Sequence, residues 1–417
     1  MRVASNASRR ASGCTTIAVS RPATIVSDTT DTSCWRIHLA LAAAVLWLAS
    51  VPASAQSIHV KGTASAFGSG RWDGEFEPSL GVRFIPEIQV SLTSGGRLTV
   101  DAEVSVNAFG TVTFPPDQSA QASSDLSPYR AWFRVSTSRF EARAGLQKVS
   151  FGSATLLRPL MWFDSLDPRD PLQLTDGVYA LLLRYFTKSN AAFSAWTMYG
   201  NDTRRGWDLV PPDKETPEFG GRVQVPFFRG ELGVTYHHRK AAIAGLVPVV
   251  EPVAPPAAAP VPEDRFGLDG KWDLGVGFWL EGALVHQRTL LVRQPYQAAL
   301  TAGLDYTFGL GNGLTVLAEH CLLESSARVL GHGDTLSFSA VLLRYPLGLL
   351  DEVTGMISFD WKHRNVQRFL TWKRTYDALS FNAILFWNPA TAVVFPGQTG
   401  TSSYSGTGFQ LLLAYSF

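Results

Sequence analysis

Residues Thr407 to Phe417 read TGFQLLLAYSF. Phe409, Leu411, Leu413, Tyr415 and Phe417 fall on every second position, with Gln410, Leu412, Ala414 and Ser416 between them. A period of two is a strand with one apolar face. A strand this apolar leaves a sticky edge unless that edge is paired. A core strand of a secreted β-sandwich meets the requirement, and so does a strand of a barrel that closes on itself. The rest of the chain separates the two.

The same alternation recurs throughout. Arg97 to Asn107 is its cleanest instance: Leu98, Val100, Ala102, Val104 and Val106 on one face, and Arg97, Thr99, Asp101, Glu103, Ser105 and Asn107 on the other. Tyr129 to Val135 and Phe140 to Gln147 pair across a Ser136-Thr137-Ser138 turn, with Arg130, Arg134, Glu141 and Arg143 on their polar faces. Ile58 to Phe67 and Leu80 to Leu92 are earlier strands, Gly177 to Phe186 a later one, and Gly110 to Leu126 is expected as a long polar loop. Short turns (187–190, 228–230, 309–313) alternate with longer links (201–217, 240–264, 325–334). That rhythm suits a barrel whose two rims face different compartments. The Pro/Ala-rich run Pro248 to Pro262 is expected as an extended external loop that takes no place in a sheet.

Charged residues make up 17% of the chain and apolar residues 46%. No run beyond residue 55 approaches the ~18 uninterrupted apolar residues of a helical span. Apolar content dispersed by alternation is what a barrel needs, one face to lipid and one to water. A net charge of +1 argues against a nucleic-acid partner. Ile37 to Val51 is apolar, follows Arg36, and precedes Ala53-Ser54-Ala55, the pattern of a secretory signal peptide cleaved after Ala55. The long Ser/Thr/Arg-rich region ahead of it reads as a start assigned too early. The expected organisation is therefore residues 1–55 as signal peptide with N-terminal extension and 56–417 as barrel. Of three cysteines only Cys321 follows the cleavage point, so no internal disulfide is expected in the mature chain.

The C-terminal strand resembles that of bacterial outer-membrane barrels, which typically ends in Phe. The resemblance implies contacts with outer-membrane lipid and lipopolysaccharide. It also implies reading by the barrel-assembly machinery through Phe409, Leu411, Leu413, Tyr415 and Phe417. The expected fold is all-β: a transmembrane antiparallel up-and-down barrel of about 16 to 18 strands with an inward-folded loop. It reaches 18 if Arg368 to Tyr376 and Leu379 to Trp387 are separate strands.

The inward loop is expected from residues 145 to 171, GLQKVSFGSATLLRPLMWFDSLDPRDP, which lack strand period. A link this long is functional or disordered, and Leu160, Met161, Trp162 and Phe163 make it too apolar for disorder. The barrel interior is the surface against which they can bury. Gly145-x-Gln147, Phe151-Gly152-x-Ala154, Arg158-Pro159, Asp164 and Asp167-Pro168-Arg169-Asp170-Pro171 together resemble a motif in a group of poorly characterised porin-like outer-membrane proteins. That resemblance implies a barrel and a channel, without a substrate.

The expected function is passive diffusion of small polar solutes or ions through a monomer or homotrimer narrowed by residues 148–176. The candidate pore-lining and constriction residues are Asp101, Glu103, Arg130, Arg134, Glu141, Arg143, Arg158, Asp164, Asp167, Arg169 and Asp170. Opposed charges across water would set up a transverse field. The same charges could equally pair with one another and pin the loop to the wall. A plugged structural or adhesive barrel is the alternative, and an outer-membrane lipid hydrolase a lesser one. No catalytic, cofactor or metal site is expected: there is no Gly-x-Ser-x-Gly elbow, and the adjacent His237 and His238 point to opposite faces. A catalytic group assembled from separate strands would leave no spacing signal.

Overall fold

The computed structural model describes residues 55–94, 97–242, 259–289, 292–389 and 404–417. The signal-peptide reading lies outside them, except for Ala55, which begins the first strand. Eighteen strands are present: β1 (Ala55–Asp73), β2 (Glu75–Ser94), β3 (Leu98–Thr113), β4 (Gln121–Ser136), β5 (Phe140–Gln147) and β6 (Val178–Phe186). They continue as β7 (Ala192–Met198), β8 (Glu218–Phe227), β9 (Gly230–Ala241), β10 (Val261–Asp273), β11 (Gly277–Gln287) and β12 (Tyr296–Phe308). The last are β13 (Leu314–Ser326), β14 (Asp334–Pro346), β15 (Asp351–Asp360), β16 (Asn365–Thr375), β17 (Leu379–Trp387) and β18 (Thr407–Ser416).

Each strand pairs antiparallel with its sequence neighbours, and β18 returns to β1. That seam runs in register from Thr63 opposite Ser416 to Trp72 opposite Thr407. Gly62 and Phe417 exchange backbone hydrogen bonds of 3.0 and 3.1 Å at its end. Closure satisfies every strand edge, the condition for a sheet surrounded by hydrocarbon.

Alternation sorts the faces. On β18, Leu411, Leu413, Tyr415 and Phe417 are exposed on the outer surface, while Leu412 and Ala414 are buried within. On β12, outward Tyr296 and Tyr306 bracket Ala298, Leu300, Ala302 and Leu304. Ten residues at ~3.3 Å each, tilted by ~40°, give an apolar belt of ~25 Å, the hydrocarbon height of such barrels. The turns at one rim are short: 137–139, 187–191, 228–229, 309–313 and 376–378. The other rim, called here the loop end, carries the links 148–177, 199–217 and 242–260.

Two expectations need correction. Gly110 to Leu126 is mostly strand: β3 runs to Thr113 and β4 starts at Gln121. Its outward positions, Gly110, Val112, Ala122 and Ser124, are too small or polar to display an apolar period, yet their backbones pair fully. Val261 and Pro262 were expected in the Pro/Ala-rich link but open β10, with Pro262 opposite Lys240. Proline is tolerated at the start of a strand. The rest of that link, 243–258, lies outside the described residues.

Candidate functional site

The link between β5 and β6 leaves the loop end and folds into the barrel. Two glycines permit its departure. Gly145 has φ +118°, and a Cβ there would sit 2.2 Å from the Ala131 carbonyl oxygen. Gly152 has φ +100°, and its Cβ would sit 2.3 Å from a carboxylate oxygen of Glu281. Only glycine accepts both the positive φ and the approach.

The loop is held from the opposite wall by two buried carboxylates. Glu319 on β13 accepts the N–H groups of Thr155 (2.6 Å), Leu156 (2.9 Å) and Leu157 (2.6 Å), and the indole N–H of Trp279 (2.9 Å). Glu281 on β11 accepts the N–H groups of Ala154 (2.8 Å) and Leu160 (2.7 Å). Thr301 on β12 donates its hydroxyl to the Leu157 carbonyl at 2.7 Å. Ser153 donates to Asp269 at 3.0 Å, and Asp269 in turn pairs with Arg222. A non-periodic segment has no ladder to satisfy its backbone, so the wall supplies acceptors. None of these wall residues stood out in the sequence, because the partners lie more than a hundred positions from the loop.

Apolar packing completes the seat. Leu156 and Leu157 join Trp279, Leu317, Cys321, Phe338, Met356, Phe369, Ile384 and Phe386, inward residues of β11 and β13–β17. Leu160, Trp162 and Phe163 join Val149, Val178, Ala180, Leu182, Trp196 and Met198 beside β6 and β7. The expected burial of Leu160, Met161, Trp162 and Phe163 against the interior is what is seen. The link between β7 and β8 adds Trp207, whose ring stacks on Phe338 at 5.8 Å. It also adds Asp208, which pairs with Arg239 (2.9 Å) and Arg265 (2.7 Å), both also bound to Glu263. His237 faces inward between Glu218 (3.1 Å) and the Trp196 indole (3.2 Å), whereas His238 faces outward to Asp264.

The eleven residues singled out from sequence divide into a wall set and a loop set. On the wall, Asp101 pairs with Arg134 at 2.7 Å and Glu141 with Arg143 at 3.0 Å, with Arg134 and Glu141 4.0 Å apart. Glu103 lies beside the Lys61–Glu87 pair. In the loop, the Arg158 guanidinium binds Asp164, the Ser150 hydroxyl and the Phe151 carbonyl. Arg169 pairs with Asp167 at 2.6 Å and lies against the rings of Phe369 and Tyr404. Asp170 accepts the N–H groups of Leu172 and Leu174, closing a local turn. Burial pushes its carboxyl up from the ordinary value, against those two donors. Burial likewise pushes up the Tyr404 hydroxyl. Arg130 joins wall and loop by a hydrogen bond, donating to the Thr175 carbonyl at 2.8 Å. The charges thus mostly fold each part upon itself, while Glu281 and Glu319 join the two.

The loop leaves one side of the lumen unfilled. A cavity of roughly 530 Å³ lies between Asp167, Asp170 and Leu172 of the loop and the inward faces of β1–β3 and β18. Its wall presents Ser65, Ser69, Ser79, Thr111 and Thr113, with Arg71, Glu77 and Arg83. Arg71 is tied to Glu77 at 2.9 Å. The Arg83 guanidinium lies 4.6 Å from the centre of the Phe109 ring, and its buried Nε has no hydrogen-bond partner. Among the described residues no group of three or more His, Cys, Asp or Glu is placed to hold a metal ion.

No protein-family model matches the sequence, and no curated protein matches it. Among solved structures, OccAB1 of Acinetobacter baumannii superposes with a TM-score of 0.54 at 9% identity, over 88% of this chain and 97% of that one. The anion-selective porin of Comamonas acidovorans (TM-score 0.46, 11% identity) matches 87% of this chain and 100% of its own. The Salmonella typhi OmpF complex with daunomycin (0.47, 11%) matches 86% and 97%. Identities this low speak to the fold alone. With its closed eighteen-stranded sheet, apolar outer belt and inward loop, the chain has the fold of the outer-membrane porins.

Proposed function

We propose that this protein is an outer-membrane channel for passive diffusion of small polar solutes or ions. The passage runs between the loop 148–176 and the β18–β1–β3 wall. One observation carries this reading: the loop is seated against one side of the barrel and leaves a cavity along the other, where Arg71 and Arg83 of the wall and Asp167 and Asp170 of the loop share the lining with Phe67, Phe109 and Tyr404. Opposed charges bordering the same confined water orient a dipolar solute as it passes. The apolar belt and the closed strand seam suit a bilayer, and the bacterial outer membrane is where barrels of this fold reside. A homotrimer and recognition by the assembly machinery through Phe409, Leu411, Leu413, Tyr415 and Phe417 remain part of the proposal.

Single-channel recording in a planar bilayer tests it. Discrete steps proportional to salt concentration are the expected outcome. Arg71→Ala and Arg83→Ala, which remove cations from the cavity wall, should each shift reversal potentials toward cations, and unchanged potentials in both would defeat the field argument. A specific observation also favours the plugged reading: the clusters around Leu157 and Phe163 fill much of the lumen with apolar side chains. A barrel that inserts stably yet passes no current would select it.

A further inference from the structure

The outer surface of β12–β15 contains a polar island. Its outward positions are Ala, Val, Leu, Ile, Gly and Phe over most of the belt between Tyr306 and Tyr345 at one rim and Tyr296 and Trp361 at the other. At the loop-end edge of that belt stand Ser337 of β14, level with Trp361, and, one outward position further in, Ser339 of β14 and His320 of β13. Polar groups facing hydrocarbon are expensive, and an ionisable one there is a functional candidate by default. A Leu or Val would serve at each position if only the sheet mattered.

The three side chains are organised. His320 Nδ1 lies 2.9 Å from Ser339 Oγ, and Nε2 lies 3.3 Å from Ser337 Oγ. The Trp361 indole donates its N–H to Ser339 Oγ at 2.9 Å. A neutral imidazole has one donor nitrogen and one acceptor nitrogen. With Nδ1–H donated to the anchored Ser339 oxygen, Nε2 keeps its lone pair and receives the Ser337 hydroxyl. That is the order of nucleophile, base and orienting group that activates a serine. Leu322 stands opposite Ser337, and Leu300, Val341 and Ile357, all about half exposed, continue the apolar surface around the island, a surface for acyl chains.

We propose that Ser337, His320 and Ser339 form a lipid-facing acyl-transfer site that cleaves carboxylic esters of membrane lipids, with Ser337 as nucleophile, His320 as base and Ser339 as positioning residue. Ser337 Oγ bonds to the ester carbonyl carbon as its proton passes to His320 Nε2. Collapse of the tetrahedral adduct breaks the acyl C–O bond, and the leaving alcohol takes the proton from Nε2. Water then attacks the acyl-serine with His320 again accepting a proton, which releases the carboxylic acid and restores the hydroxyl. The site is independent of the lumen, so it stands whether or not the barrel conducts.

The test uses the full barrel in detergent micelles, with a long-chain alkyl fluorophosphonate as probe and a phospholipid in mixed micelles as substrate. Heat-modifiable gel mobility verifies that each variant is folded. The expected result is labelling of Ser337, abolished in Ser337→Ala and slowed ~100-fold in His320→Asn, with ester turnover falling in parallel. Ser339→Ala should slow labelling at a fixed pH by releasing the ring that Ser339 orients, and the conservative Ser339→Thr, which keeps the hydroxyl, should restore it. Absence of Ser337 labelling, equal labelling of folded His320→Asn, or labelling without ester turnover overturns the proposal and leaves a self-satisfied polar island.

Discussion

The inward faces of β13–β17 present Leu317, Cys321, Phe338, Met356, Phe369, Ile384 and Phe386, whereas those of β1–β3 present Ser65, Ser69, Arg71, Ser79, Arg83 and Thr111. Both belong to the same barrel and obey the same alternation. The first set is dry where the loop lies on it, with Phe386 reaching the cavity edge, and Glu281 of β11 and Glu319 of β13 accept backbone donors instead of water. The second set borders the cavity. The expectation of one face to lipid and one to water therefore holds for β1–β3 and fails for β13–β17. An inward apolar face is stable when a second segment covers it, as in any two-layer core. The loop is that second layer, and its presence on one side defines the passage on the other.

The contrast is most severely tested by Glu319→Leu. It leaves three backbone N–H groups and the Trp279 indole without their acceptor. Each unsatisfied buried donor costs ~1–3 kcal/mol. The seated loop should be released, seen as trypsin cleavage after Arg169 and as conductance raised by a factor of about two or more, nearing that of an unplugged barrel of this width. A protected loop and unchanged conductance would show that apolar packing alone holds it.

Leu157→Ala probes the packing itself. Truncation of a fully buried leucine in a close-packed site costs ~2–5 kcal/mol. The expected outcome is a lower thermal midpoint in detergent with the barrel still assembled. A midpoint equal to wild type would mean that the dry half repacks freely.

Arg83→Ala touches the wet half and should act oppositely: little change in stability but a shift of reversal potential toward cations. Arg83 faces the cavity with an unpartnered Nε, so its removal breaks no ion pair on the wall. A loss of stability comparable to that of Leu157→Ala would erase the distinction between the halves.

Asp170→Asn should have the smallest effect, visible only in pH dependence. Burial raises the Asp170 carboxyl above the ordinary value of 3.8. A raised folded value means that the folded state binds the proton more tightly than the unfolded chain. Its contribution to stability is then full below about the ordinary carboxylate range and is lost as pH rises through the raised folded value. Thermal midpoints measured upward from pH ~4 should fall less in Asp170→Asn than in wild type. Parallel curves would place Asp170 in water.

Much of this was legible in the residues. Period-two segments located most strands, and the aperiodic aromatic run from Phe151 to Phe163 identified the segment that turns inward; the choice between sixteen and eighteen strands stayed open in the sequence and was settled by β16 and β17 being separate. Those are local properties, carried by neighbours two positions apart. The ends of β3 and β4 were missed because Gly110, Ala122 and Ser124 carry no apolar contrast, although their backbones pair. Among the charges, the motif residues of the loop, Arg158 with Asp164 and Asp167 with Arg169, are partners close in sequence.

What the sequence by itself determined is a closed alternating sheet with one segment that cannot remain in water. Which wall receives that segment was decided only by tertiary structure. Alternation states that Glu281, Glu319 and Trp279 point inward, but it assigns them water or protein indifferently. Their role depends on backbone donors brought from residues 154–160 by closure of the sheet around the loop. The same holds on the outer surface, where His320 meets Ser337 and Ser339 only because β13 and β14 pair in that register. A register is a relation between strands, and no window along one strand contains it.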